Sequence, residues 1–309
     1  MKFDIKNGVW IATLAAGAVA ANATANASVV AENPTVRIGT TLGDIDVTFY
    51  DGATPLSVDN FFAYIDSGRL IDSFFHRSVP GFVVQGGGFV WPEGGGIDSV
   101  ATFDPVLNEP GISNTRGTIA YAKLGGDPNS ATSGFFFNLV DNNDPDNPLS
   151  LDNQNGGFTV FARVVGDGLD VVDAIAALPL ANAGPPFDTL PINGEIVDNT
   201  IQRDNLVFVE SITALDVLPG DFNNSGSVEQ GDLNLVLNNW GRLASSVDVG
   251  LYGFGPGVID QSALNAVLNN WGSTASPSFE GSSVPEPGLA GLVGVAGGLW
   301  LKRRRQAVR

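Results

Sequence analysis

Phe75-His-Arg-Ser-Val-Pro-Gly-Phe-Val-Val-Gln-Gly-Gly87 decides how this chain is read. The stretch crosses two strand-like runs, 72–79 and 82–85. Others lie further along at 117–123, 134–140 and 158–165, and Asn205-Leu-Val-Phe-Val-Glu-Ser-Ile212 reads as a closing strand. Towards the N-terminus, Val36 to Tyr50 alternates in two runs around Gly43, the pattern of a hairpin. Thr54-Pro55 then opens a helix, with Thr54 as N-cap and Pro55 in the first turn. Val58, Phe61, Phe62 and Ile65 recur at helical spacing, and Gly68 ends the run. A second helix is expected at 168–178, with Leu169, Val172, Ile175 and Ala176 on one face. Many strands, two helices and glycine-rich corners (39 Gly and 18 Pro in 309 residues) predict a mainly β fold, a closed antiparallel barrel.

Composition narrows the chemistry. With 33 acidic and 15 basic residues the net charge is −18, which argues against a nucleic-acid partner, because phosphate binding needs a basic surface. The absence of cysteine excludes disulfides, thiolate nucleophiles and cysteine-ligated metals. One histidine, His76, excludes a multi-histidine metal site. A hydrophobic share of 43% is ample for a core.

Three further blocks follow the first in order: Gly117-Thr-Ile-Ala-Tyr-Ala-Lys123, Ser133-Gly-Phe-Phe-Phe-Asn-Leu139 and Gly157-Phe-Thr-Val-Phe-Ala-Arg-Val164. Together the four resemble the cyclophilin signature over residues 33–212. The resemblance implies a closed eight-stranded barrel with two helices and peptidyl-prolyl cis/trans isomerase activity. It places Arg77, Gln85 and Phe82 as catalytic residues and Val83, Ala122, Lys123, Phe136, Leu151 and Phe158 around the substrate proline. The residue types suit the reaction. Rotation of an X–Pro bond crosses a barrier of about 20 kcal/mol set by amide resonance. An apolar cup for the proline and a guanidinium at the prolyl nitrogen favour the twisted amide, and no cofactor is needed for catalysis. Taken alone, Arg77 would read as half of a surface ion pair, and Phe82 and Phe136 as ordinary core. The chain departs from the family at Gly134, where a groove glutamine is usual, at Phe158, where a histidine is usual, and at Ser150, in place of a tryptophan.

Residues 216–275 form a second unit. Counting Asp221 as the first position of a calcium loop places Asn223, Ser225, Ser227, Glu229 and Asp232 at ligand spacing, with Gly226 at the sharp turn. Leu233-Asn-Leu-Val-Leu-Asn-Asn-Trp-Gly241 recurs as Leu264-Asn-Ala-Val-Leu-Asn-Asn-Trp-Gly272. The pair resembles dockerin repeats, which implies a small α-helical module holding one structural Ca2+ and docking a protein partner. The second loop is degenerate: Tyr252, Phe254 and Pro256 fall at ligand positions and only Asp260 is acidic.

The ends read as addresses. Residues 1–27 have a Lys2/Lys6 start, an apolar run and Ala-Asn-Ala sites, the pattern of a secretory signal. After a linker at 276–287, residues 284–309 combine Val284-Pro-Glu-Pro287, an apolar stretch and Lys302-Arg-Arg-Arg305, and resemble a PEP-CTERM sorting signal. That resemblance implies a short transmembrane segment, transient contact with the membrane and an exosortase, and release to the cell surface or medium. The expectation is an exported isomerase acting on proline-containing polypeptides. The rival is a surface peptide-binding or matrix protein with a decayed isomerase site and a docking module.

Overall fold

The structure, a computed structural model, describes residues 33–247 and 250–275. The leader 1–27, the linker 276–287 and the tail 284–309 lie outside them. Strands β1 (Thr35–Thr40) and β2 (Gly43–Phe49) form the expected hairpin, in register from Thr35↔Thr48 to Thr40↔Gly43. Helix α1 (Pro55–Asp66) starts after Thr54, but that hydroxyl donates to the Tyr50 carbonyl instead of capping. The Glu109 carboxylate receives the first free amides, Leu56 at 3.2 Å and Ser57 at 2.8 Å, and complements the positive helix end.

Strands β3 (Arg77–Val79) and β4 (Val83–Gly86) hold the opening motif. A small ribbon pairs β5 (Phe89–Val90) with β6 (Asp98–Ser99). Then come β7 (Thr118–Tyr121), β8 (Phe135–Asn138), β9 (Val160–Val165) and helix α2 (Gly168–Ala176). A second ribbon joins β10 (Leu180–Ala181) to β11 (Leu190–Pro191), and β12 (Val209–Leu215) returns to β1. The eight-stranded sheet runs β12-β1-β2-β9-β7-β8-β4-β3, every pair antiparallel.

The expected closed barrel is corrected: the sheet is an open, curled half-barrel whose edges lie 14 Å apart. The reason is local. β3 is three residues long, and the Ser78 amide donates to Thr189 beside β11, not to β12. Near β12 the chain meets residues 72–75 only through loop-level bonds, such as Phe75 N–H to the Val207 carbonyl and one bridge at Phe74↔Phe208.

Helices α1 and α2 seal the inner face, adding Val58, Phe61, Tyr64, Val172 and Ile175 to a core with Phe49, Phe135, Phe137 and Phe161. Each fully buried phenylalanine contributes about 2–3 kcal/mol.

The described residues contain four α-helices in all; α3 (Gln230–Asn238) and α4 (Gln261–Asn269) follow the sheet. They surround a small cluster of Phe222, Val228, Val236, Ile259 and Val267. This is not the separate helical module expected, because the described chain up to Thr274 is one compact unit. The buried Arg163 of β9 donates to the Ala244 and Val247 carbonyls. The Tyr252 hydroxyl donates to Asp46 of β2 at 2.8 Å, and the Gly253 amide donates to Thr48 Oγ1 at 3.2 Å. The transmembrane expectation is also withdrawn: no helix among the described residues is long and apolar enough to cross a membrane.

Candidate active site

Register assembles the site on the outer face of the sheet. Arg77 pairs with Gln85, Gln85 with Phe136, Phe136 with Ala120, and Ala120 with Val160. Directly paired residues of antiparallel strands share a face, so one row crosses five strands. A register shift at Ile119/Ala120 keeps Val160 in that row while Phe161 turns into the core. Val83, two residues before Gln85, adds to the same face.

The expected apolar residues gather here. Val83, Phe136 and Leu151 are buried in one cluster, and Phe82, Ala122 and Phe158 pack against it half-buried. Phe136 and Phe158 meet edge to face, ring centroids 5.8 Å apart. Phe82 is fixed through its carbonyl, which accepts from the Leu139 amide at 3.0 Å and Asn142 Nδ2 at 3.1 Å. The Phe158 amide donates to the Leu151 carbonyl at 2.8 Å, which joins the two far walls. A Cβ on Gly134 would meet only the Ala122 Cβ, at 3.5 Å, so the missing groove glutamine leaves the rim open.

Arg77 stands at the edge of this cup, half-buried. Among the described residues, every other lysine and arginine bonds to a protein acceptor: Arg37, Arg69, Arg116, Lys123, Arg163, Arg203 and Arg242. Arg77 alone has neither hydrogen bond nor ion pair, so its donors are available to a ligand. His76 is buried against Phe89, and burial pushes its imidazole down to about 4, with Arg77 as a lesser cause. It is neutral at neutral pH and is no proton donor there. Lys123 differs from a groove residue: its ammonium is turned to protein carbonyls, and burial lowers it to about 8.

Sequence reasoning missed Tyr50, Ala120, Val160 and Ile112, which complete the apolar cluster. Ala120 and Val160 sit inside quoted blocks, and alternation from Ala122 and Phe158 was the signal for them. Tyr50 and Ile112 come from elsewhere in the chain. It also missed the polar backing, in which Asn138 donates to Asn114 and Thr118 and the Asp152 carboxylate receives the Asn114 amide at 2.8 Å.

Away from the cup, the 221–232 loop curls on itself. Asp221 is 1% exposed and accepts from the Ser225 and Gly226 amides, and Asp232, wholly buried, accepts from the Asn223 and Glu229 amides. Burial, with Asp232 as a lesser cause, raises the Asp221 carboxyl. Glu229 is exposed. Among the described residues there is no cluster of three or more His, Cys, Asp or Glu able to hold a metal. In the second loop Asp260 caps α4 through Ser262, and Tyr252 is engaged with Asp46.

Comparison with known proteins bears on the first 200 residues. The family model for cyclophilin type peptidyl-prolyl cis-trans isomerase/CLD matches residues 35–195. A peptidyl-prolyl cis-trans isomerase of Acinetobacter baylyi is 39% identical over 154 residues, 49% of this chain and 77% of the relative. Peptidyl-prolyl cis-trans isomerase B of Escherichia coli is 42% identical over 151 residues, 48% of this chain and 88% of the relative. Peptidyl-prolyl cis-trans isomerase A of Dickeya dadantii is 40% identical over 154 residues, 48% of this chain and 75% of the relative.

Proposed function

Since the chain belongs to the cyclophilin-type peptidyl-prolyl cis-trans isomerase family, we propose that it turns X–Pro bonds of extracytoplasmic proteins, with Arg77, Gln85 and Phe82 as its catalytic residues. Isomerase activity on proline-containing polypeptides comes with the family. The observation that carries the residue assignment is the uncommitted Arg77 guanidinium beside an apolar cup.

The substrate proline enters the cup against Phe82, Val83, Phe136 and Leu151, with Ala122 and Phe158 at its rim. Gln85 lies directly across from Arg77 and positions the substrate carbonyl. As the amide twists, the prolyl nitrogen regains its lone pair, and an Arg77 N–H donates to it. That bond exists only in the twisted state, so it lowers the barrier without tightening the ground state. No proton moves. Gly134 and Phe158 reduce the polarity of the groove, which favours apolar residues beside the proline. An isomerisation assay on a short Ala-Pro peptide tests the reading; a rate equal to the uncatalysed one overturns it.

The proposal extends to the ends and the repeats. Export and surface or extracellular location rest on residues 1–27 and on the PEP-CTERM-like tail 284–309, processed by an exosortase. Cell fractionation and the mass of the mature chain test this. The dockerin-like loop would hold one structural Ca2+ through Asp221, Asn223, Ser225, the Ser227 carbonyl and Asp232, with Glu229 directly or through water. Two adjacent buried carboxylates without a cationic side chain fit such an ion. Trp240 and Trp271, at equivalent positions of the repeat, are both exposed, and support a protein partner on that face. Loss of a co-purifying partner on Trp240→Ser and Trp271→Ser tests the docking.

A further inference from the structure

The loops beside the cup converge on one ammonium. Lys123 Nζ donates to Asn108 Oδ1 at 3.1 Å, to the Asn155 carbonyl at 3.0 Å and to the Gly157 carbonyl at 2.6 Å. Its three donors therefore meet three acceptors from two separate segments. Asn108 closes the same hub, donating through Nδ2 to the Gly156 and Gly157 carbonyls and accepting from Thr159 Oγ1 at 2.7 Å. The same Nζ lies 4.6 Å from the centroid of the Phe158 ring. Phe158 follows Gly157 directly, and its ring also meets Phe136 edge to face in the proline cup.

We propose that Lys123 is a positioning residue for the isomerisation: it locks the 155–157 loop to Asn108 and holds Phe158 as the outer wall of the proline cup, without itself touching the substrate.

The consequence is a specific kinetic signature. A wall presses on the prolyl ring in the planar and the twisted amide alike, so loosening it weakens binding uniformly and raises KM while leaving kcat. Charge matters as well as reach. A neutral amine has two donors for three acceptors and loses its attraction to the ring face. Burial lowers the ammonium to about 8, so that loss falls within a measurable range. The groups that face it, Asn108, Asn155, Gly157 and Phe158, are uncharged. The acids on the surrounding segments are engaged elsewhere: Glu109 with the start of α1, Asp152 with Asn114, and Asp127 with the Asn129 amide. Tyr50 of the same cluster is pushed up to about 12 and stays neutral through this window.

Stability moves the other way. The unfolded chain holds the Lys123 proton up to its usual 10.5, and the folded chain releases it near 8. Between these values the unfolded state binds more protons, so this group makes the fold more stable as pH rises. A loss of affinity above pH 8 without a loss of stability thus separates positioning from a merely structural role.

The test is steady-state isomerisation by the full chain on a short Ala-Pro peptide. Lys123→Met is expected to raise KM about tenfold with kcat within roughly twofold. Wild-type KM is expected to climb between about pH 7 and about pH 9, and Lys123→Arg, which keeps its charge, to show no such climb. An unchanged KM in Lys123→Met, a wild-type KM independent of pH, or the same climb in Lys123→Met overturns the proposal. Should Lys123→Met fail to fold, the wild-type pH profile decides alone.

Discussion

Arg77 and Arg163 lie on the same face of one sheet and have opposite fates. At the β3–β4–β8 end, Arg77 is half-buried and its guanidinium bonds to nothing among the described residues. At the β9–β2–β1 end, Arg163 is 1% exposed, and its guanidinium serves the Val164, Ala244 and Val247 carbonyls. The residue type is the same, and the register that points both outward is the same. The difference is the covering: residues 216–247 and 250–274 lie over the second end and leave the first open. A buried arginine must spend its donors on protein acceptors or lose several kcal/mol of solvation. An arginine beside an open cup keeps them for a ligand. The candidate site therefore lies at the end of this face that the appended segment leaves bare.

The largest expected effect breaks the comparison at its open end. Arg77→Ala should lower kcat/KM by about 100- to 1,000-fold, the usual consequence of removing a donor aimed at the transition state, with little change in Tm. An equal loss of Tm would place Arg77 with Arg163 as structural. The covered end should answer in reverse. Arg163→Met strands three carbonyls and should lower stability by about 3 kcal/mol, with turnover per folded molecule kept within a few-fold. A loss of turnover matching that of Arg77→Ala would make the two ends one site.

Acid sharpens the contrast more gently. His76 is held neutral with its imidazole depressed from 6.5 to about 4, so the unfolded state gains protons first as pH falls. Stability from this group is present above pH 6.5 and is lost on acidification, by about 2 kcal/mol between pH 7 and pH 5. Denaturant midpoints at the two pH values should therefore converge in His76→Gln, and a wild-type midpoint that ignores pH in this range contradicts the depressed value.

The smallest effect is calcium. At ten times a Kd of about 10⁻⁴–10⁻³ M, the ion should stabilise the chain by about 1.4 kcal/mol, and Asp221→Ala should abolish the shift. Asp260→Ala should not, because Asp260 serves as the cap of α4. No heat at millimolar calcium in wild-type calorimetry removes the ion from the loop.

Much of the candidate site could be named in advance because its residues fall in four ordered blocks that resemble a known family. Arg77 and Gln85 are eight residues apart on two adjoining strands, and Val83 lies two residues before Gln85, on the same face. The rest depended on distant partners. Tyr50 reaches the cup from the end of the first hairpin, and Ile112 from a loop. Lys123 fell in a groove motif, yet its direction is set by Asn108 and Gly157, 15 and 34 residues away. Thr54 had the chemistry of a cap and lost that role to Glu109, 52 residues from the Ser57 amide that it accepts.

The sequence by itself determined the first hairpin, the main strands, the helices and the family, because each follows from local alternation and ordered motifs. Only the tertiary structure decided that the sheet stays open and that the repeat-bearing segment is part of the same body. A free strand edge closes only where a long enough neighbour reaches it, and β3, three residues long, gives its amide to Thr189. In the second loop, Tyr252 stands where a calcium ligand would, and its hydroxyl instead joins the segment to Asp46, 206 residues earlier in the chain. Such contacts depend on which surfaces meet after folding, and no local pattern encodes them.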